Sequence, residues 1–295
     1  APTANIGTML NRGVDLELGY DRTFGKDFRF GASANLSFLK NEVVLLGNEA
    51  GFLTGQTWGP QGLEITRISE GEAIGHFYGY RTDGIFQTQD DVFAHTGGEN
   101  GDTLQPGAVA GDFRFVDVNG DGVIDAEDRT VIGNPTPDFT AGLNIDMSYK
   151  NWDFTVFGQG VFGNDIYNAT RRYDLPTANM TGSALDRWTG AGTSNSYPRL
   201  TFQDDNMNFA RSSDFYVEDG SFFRIKNLQI GYNISGDIAD KLMLRKMRIY
   251  YAGSNLLTFT NYSGFDPEIG AGFGVDRGIY PQARVHSLGI NVTFK

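Results

Sequence analysis

The residues whose types and spacing most clearly ask for chemistry lie at 117–128, DVNGDGVIDAED. Oxygen side chains stand at positions 1, 3, 5, 9 and 12 of this stretch, as Asp117, Asn119, Asp121, Asp125 and Asp128. Gly122 takes position 6, and Val123 offers a carbonyl at position 7. A calcium ion wants six to eight oxygens at about 2.3–2.6 Å, so a short chain must curl around it, and the curl needs a residue at ease with positive φ. The spacing therefore predicts a structural Ca2+ site made by these six residues. Asp128 is one methylene shorter than the Glu usual at position 12, which shortens its reach. The preceding GDFRFV reads as strand, so the stretch is not the centre of a helix–loop–helix sensor. The alternative for the same residues is an acidic Asn-Gly/Asp-Gly turn without metal.

No other group of side chains suggests chemistry of comparable definition. The histidines, His76, His95 and His286, are scattered, and adjacent His286 and Ser287 fall on opposite faces of one strand. No catalytic residues are expected, and the chain is read as a non-enzyme. There is no Cys for a thiol nucleophile, a disulfide or a thiolate metal site. A net charge of -12 argues against nucleic acid, which needs a basic stripe to displace counterions.

The elements that must hold the acidic loop are strands. Residues 14–20, VDLELGY, place Val14, Leu16, Leu18 and Tyr20 on one face and charges on the other. Residues 28–38 place Phe28, Phe30, Ala32, Ala34, Leu36 and Phe38 opposite Arg29, Gly31, Ser33, Asn35 and Ser37. The pattern returns from Phe139 to Tyr149, turns at Lys150 and Asn151, and continues as WDFTVFGQGVF. Residues 222–234, 248–259 and 285–294 supply three more strands. Connections alternate strictly between short (25–27, 150–151, about 235–246) and long (47–136, 164–221, 260–284).

Short turns at one end and long loops at the other are the layout of an outer-membrane barrel. Strands of about ten to twelve residues are long enough to cross the hydrocarbon when tilted, and no apolar run of about 18 residues offers a transmembrane helix instead. The predicted fold is all-β: about seven strands of an antiparallel transmembrane β-barrel. Aromatics gather near the short turns, Tyr20, Phe24 and Phe28 at the first and Tyr149, Trp152 and Phe154 at the second, as in an interfacial girdle. Arg224 and Lys226 are read on the face of Leu228 and Ile230, at the long-loop end where headgroups tolerate charge. Seven strands cannot close a wide barrel, and open edges in lipid leave backbone groups unsatisfied. The chain is therefore expected to be part of a larger barrel. Its first ten residues, APTANIGTML, lack the features of a signal peptide. Its last strand, with Ser287, Gly289, Val292 and Phe294, is similar to the C-terminal signal by which barrels reach their assembly machinery, though Lys295 follows the Phe that usually ends it.

Six blocks in order carry a family resemblance: NRGVDLELGY (11–20), GEAIGHFYGYRTDGIFQ (71–87), FVDVNGDGVIDAEDRTVIGNPTPDF (115–139), GQGVFGNDIYN (158–168), YVEDGSFFRIKNLQIGY (216–232) and the ending from Ile249. They resemble the C-terminal part of SusC/RagA-type TonB-dependent transporters of Gram-negative outer membranes, over nearly the whole of residues 1–295. The resemblance implies a barrel of about 22 strands, a plug and first barrel strands outside this sequence, and energy from TonB. It also implies a SusD-like surface lipoprotein, contact with outer-membrane lipid, and import of oligosaccharides or peptides. The C-terminus would be periplasmic and the long loops extracellular.

On that reading, cargo or lid contacts are expected from long-loop aromatics and a carboxylate: Trp58, Tyr78, Tyr80, Tyr173, Trp188, Tyr197, Phe265, Asp266 and Tyr280. Any of them would serve equally by packing its own loop. A second reading is a secreted, calcium-dependent, β-rich glycan-binding or adhesin domain. The outward face separates the two, because lipid requires uncharged residues across about 25 Å.

Overall fold

The computed structural model describes residues 7–295 apart from 60–61, 99–100, 176, 235, 237, 239–240, 242 and 270–272. Residues 1–6, within the stretch read for a signal peptide, and part of the 235–246 connection therefore lie outside the described residues.

Seven antiparallel strands pair in chain order into one sheet: β1 Gly7–Phe24, β2 Phe28–Leu46, β3 Phe139–Tyr149, β4 Trp152–Phe162, β5 Phe222–Ile234, β6 Leu244–Thr260 and β7 Val285–Phe294. β1 begins before the alternating run at Val14, and β2 continues past it, because the first hairpin stays paired beyond the level where β3 starts. The tight turns follow from residues that accept positive φ: Gly25 at 64° and Lys150 at 53°. Among the described residues no helix is long and apolar enough to cross a membrane, so any crossing falls to strands. β1 and β7 do not pair with each other, and the sheet stays open.

Register aligns the apolar residues into one face, interrupted by Arg22 opposite Phe30 and by His286 opposite Gly253. Val14, Phe38, Phe139 and Phe162 fall in one rank, and Phe24, Phe28, Tyr149, Trp152 and Tyr232 in another. The lower rank is joined ring to ring: Phe24 stacks on Phe28 at 5.7 Å, Phe28 meets Tyr149 edge-on, and Trp152 lies 4.9 Å from Tyr232. In the upper rank Phe139 stacks on Phe162 at 4.8 Å and lies 5.6 Å from Phe38. Phe28 and Phe38 are ten residues apart in the chain. At about 3.3 Å per residue and a tilt near 45° this is roughly 23 Å of height, the lipid-facing band of an outer-membrane barrel. The opposite face is polar and internally bonded: Asp21 accepts from Arg29 at 2.8 Å, Asp15 from Ser37, and Asp146 from Thr155, while Asp153 pairs with Arg248.

One sequence expectation is corrected here. Arg224 does not share the face of Leu228 and Ile230. The pairing of β5 with both neighbours slips between Ile225 and Asn227, so Lys226 is an extra residue, a β-bulge. The slip reverses the alternation. Arg224 then stands opposite Gln159 and Thr258 on the polar face, while Phe223 takes the lipid side over the bare backbones of Gly158 and Gly160. A constant period of two cannot foresee an inserted residue.

Above the long-loop end the three loops form a body with its own core. The first contributes a four-stranded sheet in the order 130–133, 76–79, 66–69, 52–54, and a short helix, α1 Gln89–Ala94, closed by a Thr88/Asp91 capping box. In the second, Asp165–Asn168 pairs with Val217–Asp219 and also with Val275–Asp276 of the third. Trp58, Ile65 and Phe77 of the first loop, Tyr167, Ala169 and Tyr216 of the second and Val275 of the third make one buried cluster. Phe215 packs against this cluster and against two others. Buried polar groups tie the loops further: Asp112 accepts from Arg199 Nε at 2.6 Å and Asn208 Nδ2 at 2.8 Å, satisfying a carboxylate that burial would otherwise penalise.

Candidate substrate-contacting surface

Two concavities border Phe265 of the third loop, one shared with the second loop and one with β5 and β6. One, of about 310 Å3, is lined by Asn168, Thr170, Arg171, Thr181, Ser183 and Ser263. The other, of about 360 Å3, is lined by Arg224, Asn255, Thr258, Asp266, Gln282 and Arg284. Both are rich in hydroxyl, amide and guanidinium groups, and Phe265, 75% exposed, borders both. An open aromatic ring between polar hollows suits a flexible chain that carries apolar faces and hydrogen-bonding edges, at volumes typical of small-ligand sites.

The walls of these hollows are tied by buried and half-buried charged groups. Glu218 accepts from Asn168 Nδ2 at 2.7 Å and from the amide and hydroxyl of Ser263 at 2.9 Å, and pairs with Arg171 at 2.9 Å. Arg224 reaches Asp266 at 2.5 Å, Glu268 at 2.8 Å and Thr258 at 2.9 Å. Burial alone would raise the Asp266 carboxyl, but hydrogen bonds from Arg224 and from the amides of Gln282 and Glu268 outweigh it and hold the group below its ordinary range. Arg171, Glu218, Asn168 and Ser263 are not singled out in the sequence: Asn168 and Arg171 lie three residues apart, but Glu218 and Ser263 stand tens of residues further on, without a shared motif.

The residues expected to touch cargo divide by exposure. Trp58 and Tyr173 are buried: Trp58 donates to the Ala169 carbonyl, and Tyr173 packs on Phe209. Their rings serve the loop core. Tyr78 lies between Arg67 and Arg129, and Tyr80 between Phe115 and Arg211. Trp188 bonds Gln87 and covers Gly111, while Tyr197 meets Phe215 edge-on. Asp266 is buried in its ion pair. Phe265 and Tyr280, the latter 89% exposed, present their rings to solvent.

In the 117–128 loop, side-chain oxygens turn to backbone amides. Asp117 accepts from Gly120 and Gly122, Asn119 from Asp121, Asp121 from Val123, and Asp125 from Glu127. Buried Asp128 accepts from Val118 and Asp125, both at 2.8 Å. Gly120 and Gly122 adopt φ of 77° and 89°. Among the described residues no three His, Cys, Asp or Glu side chains converge as a metal-holding group. The C-terminal residues lie on β7, Val292 on the apolar face opposite Met247 and Gly289 opposite Tyr250 on the polar one.

No family model matches the chain. Across 98% of its length, however, it is 35% identical to TonB-dependent receptor P3 and 30% identical to TonB-dependent receptor P26, both of Formosa agariphila. It is 27% identical, over 99% of its length, to the TonB-dependent receptor SusC of Bacteroides thetaiotaomicron. A solved structure of the RagAB peptide transporter superposes on 98% of the chain with a TM-score of 0.72 at 25% identity, and the RagAB importer in its closed-closed state gives 0.71 at 26%. By sequence and by fold the chain belongs with the SusC/RagA-type TonB-dependent receptors. It spans about three tenths of the length of these relatives: 29% of P3, 27% of SusC and 30% of the RagAB chain. The names of these SusC/RagA-type relatives denote receptors and a transporter, not enzymes. Proteins of this family reside in the outer membrane, which agrees with the apolar belt and sets aside the secreted-domain reading.

Proposed function

We propose that the chain forms part of the wall and mouth of a nutrient importer that takes up oligosaccharides or peptides under TonB energy with a SusD-like lipoprotein on its outer side. The long loops face the exterior and the C-terminus the periplasm. The observation that carries this reading is the single core shared by all three long loops above a sheet with a lipid-height apolar band. A prebuilt mouth on a membrane wall suits capture of a solute followed by passage along the polar face. The plug and remaining strands of the same transporter complete the barrel.

The cargo surface on this reading is the pair of hollows around Phe265, with Tyr280 beside them. Sugar rings and peptide side chains both stack on aromatic rings, and both offer groups for Arg, Asn and Thr to bond. RagAB is named a peptide transporter, while the chemistry of the hollows serves either class. Purified transporter should bind maltooligosaccharides or mixed oligopeptides in detergent, with Phe265→Ala weakening that class alone. Binding of neither class, or full solubility of the barrel without detergent, sinks the proposal.

Calcium in the 117–128 loop belongs to the same reading. Each carboxylate there retains lone pairs beyond those given to amides, so Asp117, Asn119, Asp121, Asp125, Asp128 and the Val123 carbonyl would hold the ion and brace the longest loop. Calcium titration by calorimetry, with Asp117→Ala/Asp121→Ala as control, should give a saturable signal lost in the variant. Equal signals from both proteins would reject the site.

A further inference from the structure

The upper end of the first hairpin carries a feature that transport does not use. Register places Arg12 directly opposite Lys40, one rank beyond the Val14–Phe38 pair and on the same apolar face. The two cations are thus about 7 Å along the strand above the last rank of the lipid-height band, at headgroup level. Lys40 on β2 is open, its side chain 64% exposed, and Arg12 stands across from it on β1, the edge strand of the sheet. With Gly13, Val14, Phe38, Leu39 and Asp138 they line a notch of about 380 Å3. Gly13 lies so close to the Phe38 backbone that a Cβ would not fit.

We propose that this notch binds the phosphate headgroup of an outer-leaflet lipid whose acyl chains run down Val14, Leu16, Leu18 and Phe38. The assignment rests on the transport reading for the membrane setting and for which leaflet the notch meets. Two arguments carry it. A lone cation beyond an apolar belt commonly snorkels to water, but a cross-strand pair of cations over an apolar wall is complementary to a phosphate attached to hydrocarbon. The Phe38–Phe139 ring pair, centroids 5.6 Å apart, forms the apolar wall beside the notch. Glu42 sits 3.8 Å from Arg12 and 3.3 Å from Lys40, and Asp138 also borders the notch. Exposed pairs of this kind hold weakly, so a phosphate, with more charge and three acceptor oxygens, takes Glu42's place at Lys40 and engages Arg12 beside it.

The test is native mass spectrometry of the whole transporter, purified in detergent and supplied with monophosphoryl lipid A or its dephosphorylated counterpart. Wild type should retain the phosphorylated lipid preferentially. Arg12→Ala/Lys40→Ala should reduce retention at least five-fold with unchanged melting temperature and cargo binding, and Glu42→Gln should increase it. Equal retention by wild type and the double variant, equal retention of the dephosphorylated lipid, or displacement by millimolar inorganic phosphate alone would each overturn the proposal. Failure of the transporter to partition into detergent at all would instead reject the transport reading, and would be seen before lipid is added.

Discussion

Arg224 of β5 and Asp266 of the third long loop are joined by a hydrogen bond of 2.5 Å, and their residues are only 3% and 5% exposed. The pair fastens a loop to the wall, and the bulge at Lys226 makes it possible by turning Arg224 inward. Removing one partner of a buried pair leaves an uncompensated charge, at about 3–5 kcal/mol. Arg224→Ala should therefore release the third loop while the wall persists: faster hydrogen exchange at residues 261–269, with exchange in β3 and β4 unchanged. The Asp266 carboxyl is held below its ordinary range, so this docking is fully present above about pH 3.9 and is lost as pH falls through the lower folded value. An acid titration of loop exchange checks that sign.

His76 shifts loop stability in the same direction, starting from the ordinary histidine range. Burial is the largest influence on it and lowers its pKa against the opposing pull of the Ala73 carbonyl, 3.1 Å from Nδ1. The imidazole is neutral in the fold, whereas the unfolded chain takes up a proton near pH 6.5. Stability of the loop body should therefore fall as pH drops from about 6.5 towards the folded value. Proteolysis of the first loop at pH 7.5 and pH 5.5 measures this, and His76→Gln should flatten the difference.

Trp58 fills the core common to the three loops and donates to the Ala169 carbonyl at 3.1 Å. Trp58→Ala opens a cavity costing roughly 3–5 kcal/mol, and Trp58→Phe loses chiefly the hydrogen bond, about 1 kcal/mol. Limited proteolysis should report cuts in all three loops for the alanine variant and few for the phenylalanine one.

Asp128 closes the acidic loop by accepting two amides while fully buried. Asp128→Ala strands both donors, at about 1–3 kcal/mol, and should loosen residues 117–128 even in calcium-free buffer. Asp117→Ala/Asp121→Ala should leave the barrel folded but raise protease sensitivity in the first loop and weaken docking of the lipoprotein lid.

Phe265 and Tyr280 support no core. Phe265→Ala and Tyr280→Ala should each lower cargo affinity several-fold, with melting temperature unchanged. A drop in melting temperature would show that they pack rather than bind.

The wall was legible in the sequence because lipid on one side and water on the other impose a strict alternation, visible from Phe28 to Phe38 and from Phe139 to Tyr149. The alternation failed at Lys226, where one inserted residue changes which side Arg224 faces without altering the composition. The loop body was legible only in part. Its rings are ordinary loop aromatics in the chain, and what makes Trp58 core and Phe265 surface is contact between segments more than a hundred residues apart. Glu218 was hidden likewise, standing 45 to 50 residues from its partners Asn168, Arg171 and Ser263, which come from two different loops. The acidic stretch displayed its turn chemistry openly, since Asn, Asp and Gly bond their own backbone whether or not an ion is present.

The packing of Phe215 against three of the buried clusters has a mechanical consequence. Loops that grew as independent flaps would swing one at a time, each with its own hinge. Here a displacement of one drags the rings of the others, so the mouth yields as a single plate hinged on the rim of the wall. Force applied at any point on it is shared across all three hairpins beneath.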